Sequence, residues 1–263
     1  MTRFAGKIPE LYDRHMGPVL FEPYARDVAA RLPAGTRHVL EIAAGTGRVT
    51  RHLLAALAPE AELVATDLNQ PMLDEARQLL PADARLSFRA ADAQALPFSD
   101  ASFDAVTCQF GLMFVPDQPL ALREMRRVLR PGGTLLLSTW DRLERNPASE
   151  LLHELAHAEL PADPPAFMAR PFSLHDARAL HELVAAAGFA SVRIETVGKT
   201  GEAESASHLA TGFVRGNPLY DQLVERGIDA HAFQARVTTA LARTYGDAPC
   251  RSPLSAHVVT AVA

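Results

Sequence analysis

The chain has 263 residues, 48% of them hydrophobic, which suits a folded globular protein and excludes a disordered one. A formal net charge of -5 with no basic block argues against nucleic acid or an anionic membrane as the main partner. Two cysteines, Cys108 and Cys250, make no disulfide framework, so a reducing cytoplasm is the expected compartment. No run approaches the roughly 20 apolar residues that span a bilayer, and the opening MTRFAGKIPELYD lacks the apolar core of a secretion signal.

Residues 8–32 predict one or two short helices broken near Pro18 and Pro23, with Leu11, Val19, Leu20, Phe21, Tyr24 and Val28 as the apolar positions. HVLEIA at 38–43 is a short apolar run closed by a glycine turn and reads as a buried strand. Val49, Leu53, Leu54 and Leu57 then recur at helical spacing over 48–58. ELVATDL (62–68) is a second strand and 71–80 a second helix, with Pro71 in its first turn, where a missing N–H costs nothing. RLSFRAAD (85–92) and FDAVTCQF (103–110) are the third and fourth strands. A helix over 120–129, a turn at RPGG (130–133) and a fifth strand, TLLLSTW (134–140), follow.

This alternation predicts an α/β fold. Parallel strands need crossovers, and strands apolar nearly throughout need helices on both sheet faces. The alternation lapses over 141–173, read as a helix plus a loop over the sheet. It resumes with a helix at 174–187 ending before Gly188, and a strand at 190–197. Two or three helices over 205–245 break at Gly216-Asn217-Pro218, and a terminal strand spans 255–263.

The turn after the first strand is AAGTG, with Gly45 and Gly47 but Ala43 where a further glycine could stand. Such a turn is where an open α/β sheet binds a ligand. Glu41 lies inside the strand end, and Asp67 ends the second strand, where a carboxylate can accept both hydrogen bonds of a ribose diol. A dinucleotide would bring a pyrophosphate beside Glu41, which would repel it, and Thr50 stands where the third glycine of GxGxxG belongs. S-adenosylmethionine would bring a sulfonium and an ammonium, which Glu41 would attract. The charge favours the second cofactor.

VLEIAAGTG, ATDLNQPMLDEA, AADAQALPFSDASFDAV, CQFGLMFVPD and REMRRVLRPGGTLLLSTW stand in order over roughly 100 residues. Together they resemble the class I S-adenosylmethionine-dependent methyltransferases, above all the group that includes the ubiquinone and menaquinone C-methyltransferases. The resemblance implies a Rossmann-like, mostly parallel sheet of seven strands, the last antiparallel, with helical cap insertions. It implies that Glu41, Ala43, Gly45 and Gly47 line the methionine part of the cofactor. Asp67 would bind the ribose, and Leu68 and Met72 would lie against the adenine. Asp92 would accept from its amino group, with the Ala93 N–H facing the ring. Gln109 and Phe110 would line the methyl end. The alternatives are a core role for Met72 and a turn cap for Asp92; Asp104 reads as structural.

HELAH at 153–157 has the HExxH pattern of helix-borne zinc proteases. No GxxH continuation follows, and the possible third ligand Glu182 lies on a helix that should pack the sheet, so no metal is expected. The helical spacing puts Leu151, Leu152, Leu155 and Ala158 on an apolar side and His153 and His157 largely on the other. If the acceptor needs a general base, His15, His153 and His157 are the candidates, with no means of choosing among them.

The expected organisation is a single domain: an N-terminal helical cap (1–35), a cofactor-binding core (36–140), a lid insert (141–173) and a C-terminal half (174–263) with a helical insert (205–250). The lid carries Pro161, Pro164 and Pro165 with apolar Phe167, Met168 and Phe172, and is longer than ordinary connections. Tyr12, Phe110, Met113 and Trp140 are the candidates for contact with a small apolar or aromatic acceptor, joined by Phe114 and Phe213. The expected activity is methyl transfer to that acceptor, with oligomeric state left open. The alternatives are a non-methylating reaction such as cyclisation on the same fold, and a non-catalytic interaction module. CQFG after the fourth strand, in place of an NPPY-like tetrad, argues against a nucleic-acid methyltransferase.

Overall fold

The first described segment is helical without interruption. In a computed structural model that describes residues 7–161 and 166–263, α1 (Ile8–Leu11), a π-helix (Tyr12–Phe21) and α2 (Glu22–Ala30) follow one another directly. The expected break at Pro18 is absent because this stretch is π-helical: the Glu22 N–H reaches back five residues to the Gly17 carbonyl. The wider turn gives the proline ring room that an α-turn denies it. Pro23 sits second in α2, and the helix runs on through it without the expected break.

Strand and helix then alternate: β1 (His38–Ile42), α3 (Thr50–Ala56), β2 (Glu62–Asp67), α4 (Gln70–Leu79), β3 (Leu86–Ala90), β4 (Phe103–Gln109), α5 (Gln118–Val128) and β5 (Leu129–Trp140). Next come α6 (Pro147–Glu159), α7 (Ala177–Ala185), β6 (Ser191–Ala203), α8 (Ala206–Arg215), α9 (Leu219–Glu225), α10 (Ala230–Tyr245) and β7 (Cys250–Val262). The sheet has seven strands in the order β3-β2-β1-β4-β5-β7-β6. β1 pairs in parallel with β2 and β4, β2 with β3, and β4 with β5, while β7 runs antiparallel to β5. Strand order reverses between β1 and β4, which makes the crevice at their carboxyl ends the topological switch point, the usual ligand site of an open α/β sheet.

Both faces are covered, as the apolar strands require. On one face Leu40, Val106 and Leu135 pack with Met125 of α5 and Val184 of α7. On the other, Val39, Ala105 and Leu136 pack with Val28 of α2 and Leu53 of α3. Asp104 ties β4 to the start of β1: it accepts from the Arg37 and His38 N–H groups at 3.0 and 2.9 Å and pairs with Arg130. Those partners overcome partial burial and hold its carboxyl down at about 2.

Two strand expectations change. RPGG does not separate a turn from a strand; β5 runs from Leu129, and its register on β4 jumps from Phe103↔Leu129 to Ala105↔Thr134. The bulged residues stay in the sheet because Gly132 donates to the Ala263 carbonyl and Ala263 donates to that of Gly133. β6 also runs on past the expected end at 197, through Gly198 and Gly201 to Ala203. A Cβ at Gly201 would lie 2.9 Å from the Val19 carbonyl, so the residue is a close-approach point rather than an end.

The chain forms two compact units. One is made of Tyr24–Asp141, Pro171–Val197 and Ala256–Ala263, the other of Met1–Pro23, Arg142–Arg170 and Gly198–Ser255. Within the second, α8 packs on the π-helix at Gly212, where a Cβ would fall 2.9 Å from His15 Cβ and Met16 Cγ. An Arg236–Glu159 ion pair joins α10 to α6. Pro164 and Pro165, and the side chains of Phe167 and Met168, lie outside the described residues; Ala166–Phe172 is a 3-10 segment. No described helix is long and apolar enough to cross a membrane.

Candidate functional site

The turn after β1 has three consecutive odd positions in the left-handed region: Ala43 at φ 55°, Gly45 at 58° and Gly47 at 83°. Glycine adopts these angles freely; Ala43 does so against its own Cβ. Gly47 also needs its lack of a side chain, since a Cβ would meet Leu80 Cδ1 at 2.7 Å. Asp67 at the end of β2 holds the turn. Its Oδ2 accepts from Gly45 N–H at 3.0 Å, and its Oδ1 from Asn69 N–H at 2.8 Å. Oδ1 also accepts from the Asn69 side-chain amide at 3.3 Å, so a ribose diol would use the open position on Oδ2 and take over this longest bond.

Glu41 sits behind the turn, 2% exposed, and accepts from the Thr50 hydroxyl at 2.7 Å. Burial pushes its carboxyl up to about 8, the nearby Asp67 adds to the rise, and the Thr50 bond only partly offsets it. Asp67 is raised by burial as well, against the pull of the Asn69 and Gly45 N–H groups. This revises the sequence argument. Glu41 is not a standing negative charge at neutral pH in the ligand-free protein. A cation seated beside it would draw its proton off. A buried carboxyl that ionises beside a cation fits a cationic ligand better than a pyrophosphate.

Met72 is 4% exposed, and its Cε lies 3.6 Å from where a Gly45 Cβ would be, so it packs against the turn. Leu68, beside buried Asp67, is 51% exposed, an apolar surface that a flat ligand would cover. Asp92 caps a turn: its Oδ1 accepts from the Gln94 N–H at 2.9 Å and from the Gln94 amide at 3.1 Å. Ala93, between them, is half-buried. Gln109 closes β4, and Met113 is buried on the short 3-10 turn Leu112–Phe114.

Phe110, also in the left-handed region at φ 53°, stacks on Trp140 at the end of β5, with ring centroids 3.9 Å apart and planes 4° from parallel. Tyr24 of α2 meets both rings edge-on, at 5.4 and 5.5 Å. Its hydroxyl donates to the Val197 carbonyl at 3.0 Å, which satisfies the polar end of a fully buried ring. Phe172 lies 6.5 Å from Trp140. Sequence reading had Tyr24 as one apolar helix position among several and passed over Gly111. The adjacent Phe-Gly pair after β4 was the available signal for Gly111.

Tyr12 and the three histidine candidates fall in the helical unit. Tyr12 stacks on Phe21 at 4.9 Å. His15 lies against His208, ring centroids 4.3 Å apart, and its pKa is lowered by burial first and by the His208 and Arg14 charges next. His153 and His157 are 5.3 Å apart, and burial, then His157, lowers His153. The buried residues of α6 are Ala148, Leu152 and Ala156; Ala158 is exposed and His153 half-buried, so the expected apolar side is rotated. Among the described residues no group of three or more His, Cys, Asp or Glu is arranged to hold a metal ion. Elemental analysis of protein purified without tag or chelator should therefore find no stoichiometric zinc. Zinc that is present and lost in a His153→Ala/His157→Ala double variant would reverse that reading.

Residues 40–137 match the family described as "Methyltransferase domain". The ubiquinone/menaquinone biosynthesis C-methyltransferase of Dinoroseobacter shibae is 43% identical over 126 residues, 47% of this chain and 50% of that protein. The enzyme of the same name from Saccharophagus degradans is 33% identical over 168 residues, 59% of this chain and 68% of that protein. The chain thus spans about half the length of the first of these relatives and two thirds of the second. Among solved structures, phosphoethanolamine N-methyltransferase 2 of Haemonchus contortus, in complex with S-adenosyl-L-methionine, superposes with a TM-score of 0.60 at 16% identity. That match covers 97% of this chain and 56% of that one, and it speaks to the fold alone. Strand order, the glycine turn and the extent of the Saccharophagus match agree, and this chain belongs to the class I S-adenosylmethionine-dependent methyltransferases, in the group of the ubiquinone/menaquinone C-methyltransferases.

Proposed function

We propose that the protein transfers the methyl group of S-adenosylmethionine to a small apolar or aromatic molecule. The observation that carries this reading is the stacked Phe110–Trp140 pair at the carboxyl ends of β4 and β5, the same sheet edge as the Asp67-held glycine turn. In this reading Ala43, Gly45 and Gly47 line the methionine part, with Glu41 behind them. Asp67 takes the ribose, Leu68 and Met72 flank the adenine, and Asp92 with the Ala93 N–H addresses its edge. Gln109 and Phe110 border the methyl end, and Met113 and Trp140 border the acceptor. The bound cofactor supplies an electrophilic methyl on a good leaving group. The chain's own residues hold the acceptor in line and keep water out.

The relatives are named for C-methylation in ubiquinone and menaquinone biosynthesis, so a hydroquinone-type ring is the first acceptor to test. The protein should convert S-adenosylmethionine to S-adenosylhomocysteine in the presence of such a ring, a phenol or an apolar amine. Cofactor bound tightly, with no turnover on carbon, oxygen or nitrogen acceptors of these classes, would overturn methyl transfer while leaving the binding site standing.

A further inference from the structure

Ala43 and Gly111 face each other across the switch point, one after β1 and the other after β4. A Cβ on Gly111 would lie 2.4 Å from the Ala43 Cβ and 2.9 Å from Cys108 Sγ, distances that side chains do not tolerate. The Gly111 backbone, at φ -103° and ψ -39°, is open to any residue. Space, not conformation, therefore demands glycine at 111. The missing side chain there is the room that the Ala43 methyl fills. Ala43 in turn holds a left-handed conformation that its own methyl disfavours, so something must hold it there.

We infer that Ala43 and Gly111 form a steric interlock that sets the position of the turn meant for the methionine part of the cofactor. Gly111 is then a positioning residue that acts through Ala43. This rests on the cofactor reading above. The methyl of Ala43 wedges the β1 turn against the loop after β4, and the two loops move together or not at all. A glycine at 43 would remove both the strain and the wedge.

A cycle of Gly111→Ala, Ala43→Gly and the double variant tests this, with S-adenosylhomocysteine and methylthioadenosine as calorimetric probes. The second probe keeps the nucleoside and lacks the amino-acid end. Gly111→Ala should bind S-adenosylhomocysteine at least about tenfold more weakly, with its unfolding temperature down by roughly 5 °C. Its affinity for methylthioadenosine should change by less than about twofold. Adding Ala43→Gly removes the 2.4 Å contact and should restore much of both losses, incompletely because Cys108 Sγ remains at 2.9 Å. Equal losses for the two probes, or a double variant no better than Gly111→Ala, would overturn the interlock. If the unaltered protein binds neither probe, the cofactor reading fails. The unfolding cycle then decides the interlock alone: non-additive losses support it and additive losses overturn it.

Discussion

Replacing Glu41 with glutamine should make the protein more stable and a poorer binder of its cofactor, with the stability gain growing as pH rises. Burial raises the Glu41 carboxyl from 4.5 to about 8. A group whose folded pKa is raised contributes its full stability below the unfolded value and loses it as pH rises through the folded one. Between 4.5 and 8 the native state binds the extra proton, so stability falls by about 1.4 kcal/mol per pH unit, or about 3 kcal/mol by pH 7. Glutamine keeps an acceptor for the Thr50 hydroxyl and has no charge to bury. The difference in unfolding free energy between Glu41→Gln and the unaltered protein should therefore widen between about pH 5 and about pH 8. Some slope will remain in the variant, because Asp67 is raised in the same direction.

The same carboxyl should reveal itself in binding. If S-adenosylmethionine places its cationic end near Glu41, binding near neutral pH should release a proton. Calorimetry in buffers of different ionisation enthalpy would read that release. Glu41→Gln should abolish it and weaken binding by roughly tenfold, the scale of one charge-assisted hydrogen bond. A difference in stability that stays flat with pH would mean that Glu41 is ionised in the folded protein. Proton release undiminished in the variant would assign it to another group.

The second large effect belongs to Asp67. Asp67→Ala removes the acceptor of two backbone N–H groups, those of Gly45 and Asn69, on either side of the proposed ribose position. Stability should drop by about 1–3 kcal/mol through the orphaned donors. Affinity for S-adenosylhomocysteine should drop by a further 1–3 kcal/mol, roughly 5- to 150-fold, through the lost ribose bonds. Affinity for methylthioadenosine should fall in parallel, because both ligands carry the ribose. A folded Asp67→Ala variant with unchanged affinity for either would place the ribose elsewhere. This pattern differs from that expected of Gly111→Ala, which should separate the two ligands.

How far the fold could be read ahead follows from which forces act locally. The alternation of apolar runs from His38 to Trp140 reports burial residue by residue, and it located β1 to β4 and their intervening helices closely. Asp67 stood out because an acid ending the second apolar run after a glycine turn is a local pattern. The break expected near Pro18 and the strand end expected at 197 both came from judging an isolated helix or strand. In the protein a π-turn accommodates Pro18, and the approach of Val19 to β6 explains Gly201. RPGG was read as a turn because the hydrogen bonds that keep it in the sheet come from Ala263, at the far end of the chain.

By itself the sequence determined the α/β layering, the ligand turn after the first strand, the acid at the end of the second, and the family. These rest on periodicity and on the order of short motifs, which need no knowledge of distant neighbours. Only the tertiary structure decided that burial raises the Glu41 carboxyl, that Phe110, Trp140 and Tyr24 form one buried aromatic group, and that Gly111 is glycine because Ala43 is not. A carboxyl's charge depends on how much water the surrounding elements exclude, and a Cβ contact depends on where two separate loops are placed. Both are set by packing between segments remote in the chain, and no local pattern encodes them.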